Sequence, residues 1–589
     1  MEKLDVLERI RHSCAHVLAQ AVLKFYPNAR LGIGPAIENG FYYDFGKISL
    51  TEQDLFRIEK EMRDIVSKNL PFKKELWTQS RAKAYFQKQK QPFKLELIKD
   101  LKKSKVGMVS TGNVFLDLCR GGHVKNTSEL PLDAFKLTKV AGAYWKGDEK
   151  REQLVRIYGV AFRTKEDLTK HLAMLEEAKK RDHRKLGQEL DLFTFSELVG
   201  PGLPLWTPKG TVIREELEKF AKETEEKWGY KRIATPHIGK EELFKTSGHL
   251  PYYKDDMFPE MDIQDSEGVK TNRYYLKAMN CPITMAMFGQ KPHSYREFPV
   301  RLAEYGTVYR YERAGVLSGL LRLRGFTQND AHIFCREDQL EEEFVQVMKL
   351  HEYYYRDVFG LKDYYVRLSL RDKTKKDKFG GNDLIWKRAE SIIRSAIKKS
   401  GVPFQEAVGE ASFYGPKADF QIKSAVGREE TASTNQIDFI MPARFGLKYT
   451  GPDGKEHPVA VIHRAPLGSH ERFIGFLIEH YAGAFPVWLA PVQVVIIPVS
   501  EKFNTYGDSV REKLEGENIR VETSDANETL GKRIREGEMQ KIPCLLVVGE
   551  KEQQNKTVSL RRRGNKEVKE MGIEMFLSGI AEEIKLRLS

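Results

Sequence analysis

The sequence predicts a multidomain α+β protein, and three observations carry that expectation. The chain has 589 residues, and at roughly 150 residues per domain three or four domains are expected. From residue 489 onward apolar strands alternate with helices, starting at "LAPVQVVIIPVS", the pattern of an α/β domain. Upstream, "KEDLTKHLAMLEEAKKRDHRKL" is helical in pattern but poor in apolar positions, so residues 165–187 read as a linker helix.

The elements follow in order. At roughly 100° per residue, residues 4–26 form an amphipathic helix with Leu7, Ile10, Cys14, Val17, Ala21 and Phe25 on one side. His12 and His16 fall on the other side, near Ala15 and Ala19, and so face something else. "YPNARLGIGPAIENGFYYDF" reads as turns and strands, residues 51–68 and 79–104 as helices, and 105–162 as short strands and loops. A mixed region runs to about Pro486. The last segment then reads strand, helix 504–516, strand "IRVET", helix 529–539, strand "CLLVVG", a basic strand and a terminal helix.

Composition narrows the class. Hydrophobic residues make up 41% and charged residues 31%, as in ordinary soluble proteins. No apolar run reaches the roughly 18 residues of a membrane span. "MEKLDVLERIRHS" lacks the apolar core of a secretory signal. The five cysteines are odd in number and scattered, which fits thiols in a reducing cytoplasm and not a disulfide framework. The net charge is +13, with basic runs in "LKKSK", "EEAKKRDHRK", "RDKTKKDK" and "RRRGNK". Such runs fit a solvated surface or an RNA partner.

Two short motifs carry chemistry. "RHSCAH" places His12 and His16 four residues apart, and "CRGGH" repeats that spacing with Cys119 and His123. Three histidines and a cysteine suit either a zinc site or a metal-free hydrolytic site. Cys14, between the first pair, lies on the apolar face and reads as core.

Three segments of the middle region resemble the signature motifs of class II aminoacyl-tRNA synthetases. "RIATPHI" follows a long helix and puts Pro236 at a strand. "YRYERAGVLSGLLRLRGFTQNDAHIF" holds an Arg-x-Glu pair, a loop and a second strand, and "IHRAPLGSHERFIGF" ends a strand and begins a helix with Glu471–Arg472. "AMNCP", "QNDAHIFC", "FYGPKADF", the histidine pair and "CRGGHV" narrow the resemblance to the threonyl-tRNA synthetase family, over essentially the whole chain. There are departures. The histidine helix starts almost at Met1, so the ubiquitin-like domain that usually opens bacterial members is expected to be missing, and "MNCPIT", "YRYERAG" and "TASTNQIDF" replace the more usual strings.

The resemblance implies an editing α/β domain over 1–164, the linker helix over 165–187, a class II antiparallel-sheet catalytic domain over 188–488 and an α/β anticodon-binding domain over 489–589. It implies a homodimer, with ATP, magnesium, L-threonine and tRNA(Thr) as partners. Arg310 is expected on the α-phosphate, Arg472 at the γ-phosphate end and Glu312 on the adenine amino group. Cys281, His332 and His463, too far apart for spacing to say anything, match three ligands of one zinc ion. Asp330 and Tyr414 match residues holding the threonine hydroxyl and amino groups, and Gln328, Met279, Ser469 and Gln436 complete the substrate set. His249 matches a histidine that helps activate the tRNA ribose. Arg561, Arg562 and Arg563 fall on the strand expected to read the anticodon.

Serine explains a second site. It differs from threonine by one methyl, worth roughly 1–3 kcal/mol, too little for accurate translation. His12, His16, Cys119 and His123 match the family's editing pocket, where Lys94 and Asp117 orient water without a metal. Alanyl-type editing domains carry the same pattern with zinc. The rival functions are an RNA-binding regulator on a retired synthetase, a free-standing deacylase, and a class II enzyme for another amino acid should "STNQ" reshape the pocket.

Overall fold

In this computed structural model residues 5–264, 270–374, 379–423 and 429–588 are described. Residue 4 of the expected first helix and residues 375–378 of the "RDKTKKDK" run lie outside the described residues. The chain divides into two compact units, Met1–Glu176 and Glu177–Ser589.

In the first unit, the Asp5 carboxylate caps the helix Val6–Phe25 by accepting from the Val6 amide. Residues Ser13 to Val22 are all buried. The helix packs against the helix Leu55–Ser67 and the strands Gly40–Gly46 and Gln153–Ala161. Its second half is thus enclosed on all sides, because small residues such as Ala15 and Ala19 let neighbours close in opposite the apolar stripe. Phe25, expected in that stripe, is 37% exposed and lies 5.2 Å below the Arg57 guanidinium. The expected helix over 79–104 is two helices, Gln79–Lys88 and Pro92–Asp100. Lys90 takes a φ of 53° between them, and Pro92 has no amide hydrogen to extend the first helix. The unit's larger sheet runs Arg30–Leu31, Gly40–Gly46, Gln153–Ala161, Phe135–Tyr144, all antiparallel. A smaller one pairs Phe72–Thr78, Lys105–Thr111 and Phe115–Leu118.

The boundary between units falls inside the helix Lys165–Arg181. The single linker helix of the sequence reading is broken at Asp182, whose carboxylate caps a second helix, His183–Glu189. The second unit centres on an eight-stranded sheet. Its order is Lys231–Arg232, Val300–Tyr309, Gly325–Cys335, Ala460–Arg464, Glu429–Asp438, Lys417–Lys423, Tyr364–Leu370, Phe404–Val408. The inner pairs are antiparallel and only the two edge strands run parallel to their neighbours. Pro236 lies between the short strands Lys231–Arg232 and Ile238–Lys240, not in one, as suits a residue unable to donate to a ladder.

One face of this sheet is sealed by a buried ion pair. Arg464 and Glu225 meet at 2.7 Å, Asn329 donates to the same carboxylate at 2.8 Å, and Arg464 lies over the Tyr230 ring. The C-terminal segment forms a five-stranded mixed sheet, with Val521–Thr523, Val494–Pro498 and Cys544–Val548 parallel and Thr557–Arg562 and Val568–Gly572 added antiparallel. The helix Asn504–Gly516 matches the reading residue for residue, whereas the short exposed strand Val568–Gly572 had no apolar alternation to betray it.

Candidate functional site

Strand periodicity builds the larger site. Along Gly325–Cys335, Gln328, Asp330 and His332 share one face, as every second residue must. Thr327 and Asn329 point the other way, where the Thr327 hydroxyl accepts from Arg214 at 2.9 Å and Asn329 meets Glu225. Cross-strand register then extends a polar row: His332 sits opposite His463, His463 opposite Gln436, and Gln436 opposite Lys417. Cys281 joins this row from the start of the helix Cys281–Phe288. The resulting pocket of about 330 Å³ is lined by all of the expected synthetic-site residues except His332, which is buried behind it.

At one end, ligand atoms of Cys281, His332 and His463 lie within 4.8 Å of one another. Burial pushes the Cys281 thiol pKa up, with Asp330 and Asp438 adding to it. His463 Nε2 is 3.0 Å from Asp438 Oδ2, which holds the proton there and leaves the other ring nitrogen as a lone-pair donor. His332 Nε2 is buried with no hydrogen-bond partner among the described residues. One soft and two borderline donors, one of them orphaned, fit a zinc ion with an open position. Burial raises the Asp330 pKa to about 6, and Asn280 donates to its carboxylate at 3.2 Å. A Cβ on Gly306 would fall 2.2 Å from Asn280 Oδ1, so only glycine fits beside it. Tyr414 donates to Gln436, which donates to Ser412 at 2.8 Å.

At the other end, two guanidinium groups enter the pocket. Arg310 donates to the Ala278 carbonyl at 3.2 Å. Arg472 donates to the carbonyls of Leu321 at 3.0 Å and Thr431 at 3.3 Å. Burial lowers the Arg472 pKa, with Glu430 and Glu312 opposing the shift and Arg310 and Arg322 adding to it, so an anionic ligand would favour the charged form. Glu312 pairs with Arg322 at 3.0 Å. Ser469 caps the helix His470–Tyr481 by accepting from the Arg472 amide. His249 is buried, its Nδ1 2.8 Å from Ser247 Oγ, and burial lowers its pKa to about 3.

The smaller site lies in the first unit. His12, His16, Cys119 and His123 converge with ligand atoms within 4.8 Å of one another. Cys119 Sγ is 3.2 Å from His123 Nε2 and 3.5 Å from His12 Nε2, and accepts from the Gly121 amide at 3.2 Å. His123 stacks on Phe72 and is 3.2 Å from Ser13 Oγ through Nδ1. Burial lowers the pKa of all three imidazoles and raises the Cys119 thiol to about 11. Beside them Lys94 and Asp117 form an ion pair at 2.6 Å, both nearly inaccessible. Tyr43 accepts from Lys94 at 3.0 Å and donates to Asp117. Cys14 is fully buried in the core, as expected.

Sequence reasoning missed Asn280, Asp438, Ser13 and Tyr43. Asn280 and Asp438 lie inside quoted motifs, "AMNCP" and "TASTNQIDF", but were passed over there. Ser13 sits inside "RHSCAH" but reads as helix filler, and Tyr43 carries no local signal at all. The structure separates the basic triplet. Arg562 pairs with Glu583 and touches Cys544 Sγ. Arg563 donates to the carbonyls of Lys541, Ala484 and Phe485. Arg561 has no ion-pair partner among the described residues.

Comparison with known proteins matches three families along the chain. The core-domain family of class II tRNA synthetases (G, H, P, S and T) matches residues 265–481. An anticodon-binding domain family matches 493–583, and the second additional domain of threonyl and alanyl tRNA synthetases matches 106–158. The threonine–tRNA ligase of Halalkalibacterium halodurans is 47% identical over 99% of this chain and 90% of its own length. That of Gloeobacter violaceus is 48% identical over 99% of this chain and 93% of its own. Among solved structures, the RNA-binding domain of threonyl-tRNA synthetase from Cryptosporidium parvum superposes with a TM-score of 0.64 at 34% identity, covering 68% of this chain and 98% of that one.

Proposed function

The chain belongs to the threonine–tRNA ligase family of class II aminoacyl-tRNA synthetases, and on that premise we propose how its two pockets divide the work. It joins L-threonine to tRNA(Thr) through threonyl adenylate in the larger pocket and hydrolyses seryl-tRNA(Thr) in the smaller one. The observation that carries this reading is one pocket with two guanidinium groups at one end and three metal-type donors at the other.

ATP enters as its magnesium complex. The planar forks of Arg310 and Arg472 bind phosphoryl oxygens on which charge builds as the threonine carboxylate attacks the α-phosphorus. Glu312 accepts from the adenine amino group. Asp330, fixed by Asn280, and Tyr414, fixed by Gln436, take the hydroxyl and amino groups of threonine. A site built to pair a hydroxyl rejects the isostere lacking it, valine, by as much as ~10⁴–10⁵. Cys281, His332 and His463 would hold one zinc ion, which supplies Lewis-acid coordination for those same amino and hydroxyl groups. His249 helps activate the tRNA ribose for transfer.

In the editing pocket Lys94 and Asp117, with the histidines, orient water at the ester. The metal-free reading is supported by the charge around the cluster. Asp117 acts on Cys119 but is paired with Lys94 at 2.6 Å, and Lys74 adds a further ammonium group, so the carboxylate there is already compensated and attracts a cation less. Recognition of the anticodon rests on the C-terminal sheet, with Arg561 the member of the triplet available to tRNA. The helix Pro208–Lys227 and the "RIATPHI" segment form the self-contact of a homodimer. The enzyme acts in the cytoplasm, where its partners are.

The test is ATP–pyrophosphate exchange across all amino acids. Exchange with threonine, weaker exchange with serine and none with valine are expected. Absence of threonine-dependent exchange by a folded chain sinks the reading.

A further inference from the structure

The run "EEAKKRDHRK" reads as linker and solvated charge, yet its His183 is 2% exposed. The ring is wedged between two parts of the synthetic pocket's frame. A Cβ on Gly319, whose φ is +48°, would lie 2.2 Å from His183 Nε2, and one on Gly475 would lie 3.6 Å from Cδ2. Gly319 belongs to the loop between the strands Val300–Tyr309 and Gly325–Cys335, and Gly475 to the helix His470–Tyr481.

Both ring nitrogens are used. The Leu320 amide donates to Nε2 at 3.1 Å. An amide can only donate, so Nε2 carries the lone pair and the proton sits on Nδ1. There it meets Glu479 Oε1 at 2.7 Å. The next residue of the loop, Leu321, offers its carbonyl to Arg472 Nε at 3.0 Å, and Arg322 beyond it pairs with Glu312. Arg472 and Glu479 stand on one helix. That helix therefore grips the loop twice, directly through Arg472 and indirectly through Glu479 and His183. The segment that supplies His183 is itself fixed, because Arg181 donates to the His480 carbonyl at 3.0 Å and Asp182 caps the following turn.

We infer that His183 is a positioning residue for the nucleotide end of the synthetic pocket: it fixes the backbone at Leu320–Leu321 and so seats Arg472 and the Glu312–Arg322 pair. The inference rests on the reading of that end as the ATP site. His183 touches no substrate. The groups assigned to threonine, Asp330, Tyr414 and Cys281, stand on other elements that His183 does not contact. Losing the acceptor strands a buried amide and loosens one loop, so the effect falls on ATP.

The test uses the full-length enzyme and two variants. His183→Asn keeps a donor for Glu479 but has no acceptor reaching Leu320. His183→Gln restores an acceptor near the Nε2 position. In threonine-dependent ATP–pyrophosphate exchange, His183→Asn should raise the KM for ATP roughly tenfold, the scale of one stranded buried donor. The KM for threonine should stay within about twofold, and His183→Gln should recover most of the loss. Far-UV circular dichroism spectra that match the parent in both variants report an intact fold. A parent KM for ATP in His183→Asn overturns the inference, as does an equal rise in both KM values with no rescue by His183→Gln. Arg472→Ala is the control for the underlying reading. If it leaves exchange intact, the pocket assignment fails; if it abolishes exchange while both His183 variants behave as the parent, only the role of His183 fails.

Discussion

Two clusters in this chain look alike to a distance criterion and differ in what surrounds them. Each brings histidine and cysteine donors within 4.8 Å, and each holds one buried imidazole nitrogen with no partner among the described residues, on His332 and on His16. Around Cys281 the nearby charges are carboxylates, Asp330 and Asp438, with Arg310 a weaker influence. Around Cys119 a lysine pair offsets Asp117. Carboxylates compensate a divalent cation and orient its imidazole ligands, whereas ammonium groups oppose it. Convergence of donors is thus a weak sign of a metal, and the charge of the next shell is the better one.

The sharpest break in the comparison comes from Cys281→Ala. It should lower threonine activation by ~10³-fold or more, since a buried three-donor site loses its thiolate. Hydrolysis of pre-made seryl-tRNA should survive. Metal analysis should find one zinc per parent chain and none in the variant. Two zincs per parent chain, one of them lost on His12→Ala, would show that the lysines do not keep metal out of the editing pocket.

Next in size is Lys94→Met. Removing one partner of a buried ion pair costs about 3–5 kcal/mol, here by leaving Asp117 with only Tyr43 and the Leu118 amide. Calorimetry should show the unit Met1–Glu176 melting ahead of the rest of the chain, with exchange activity retained below that transition. An unchanged melting profile would mean that Asp117 takes up a proton at little cost.

These contrasts show what a sequence displays and what it hides. Helical spacing exposed His12 with His16, whereas the strand face shared by Gln328, Asp330 and His332 emerged only with the fold. The row His332, His463, Gln436 and Lys417 was not legible, because register between strands far apart in sequence is set by packing. Nor was the fate of the basic triplet. A strand's arginines look equivalent in sequence, but Arg563 is spent on three carbonyls while Arg561 is not. The break at Asp182 was concealed because an acidic residue inside a charged helix reads as one more solvated position. The family motifs carried the assignment of Cys281, His332 and His463, which neither spacing nor composition supplied.

His12→Ala should act on the other half of the comparison. Loss of a group that positions a proton or a water at a reacting bond costs roughly 10²-fold or more, read here as slower deacylation of seryl-tRNA. Threonine activation should be unchanged, and serylated tRNA should accumulate when serine is in excess. Deacylation at the parent rate would reduce the paired histidines to structural members.

The smallest effect asks whether a depressed imidazole marks a site at all. His470 is fully buried, and neither ring nitrogen has a partner among the described residues. Burial pushes its pKa to about 3, with Arg214 and Lys222 adding to the shift, and the Tyr305 ring packs 5.3 Å away. The same cause, desolvation, depresses the editing histidines, yet His470 has no role in either pocket. The sign follows from linkage. The folded pKa lies below the unfolded value of roughly 6.5, so the neutral ring's contribution is intact above that value and is lost as pH falls toward 3. At pH 5.5 the unfolded ring is mostly protonated and the folded one is not, a penalty of about 1.4 kcal/mol. His470→Leu removes the titrating group and fills similar volume. Chemical denaturation between pH 7.5 and 5.5 should therefore show the parent losing about 1.4 kcal/mol more than the variant. Equal pH slopes would mean that the folded ring takes up its proton as readily as the unfolded one, and that burial at this position does less than its surroundings indicate.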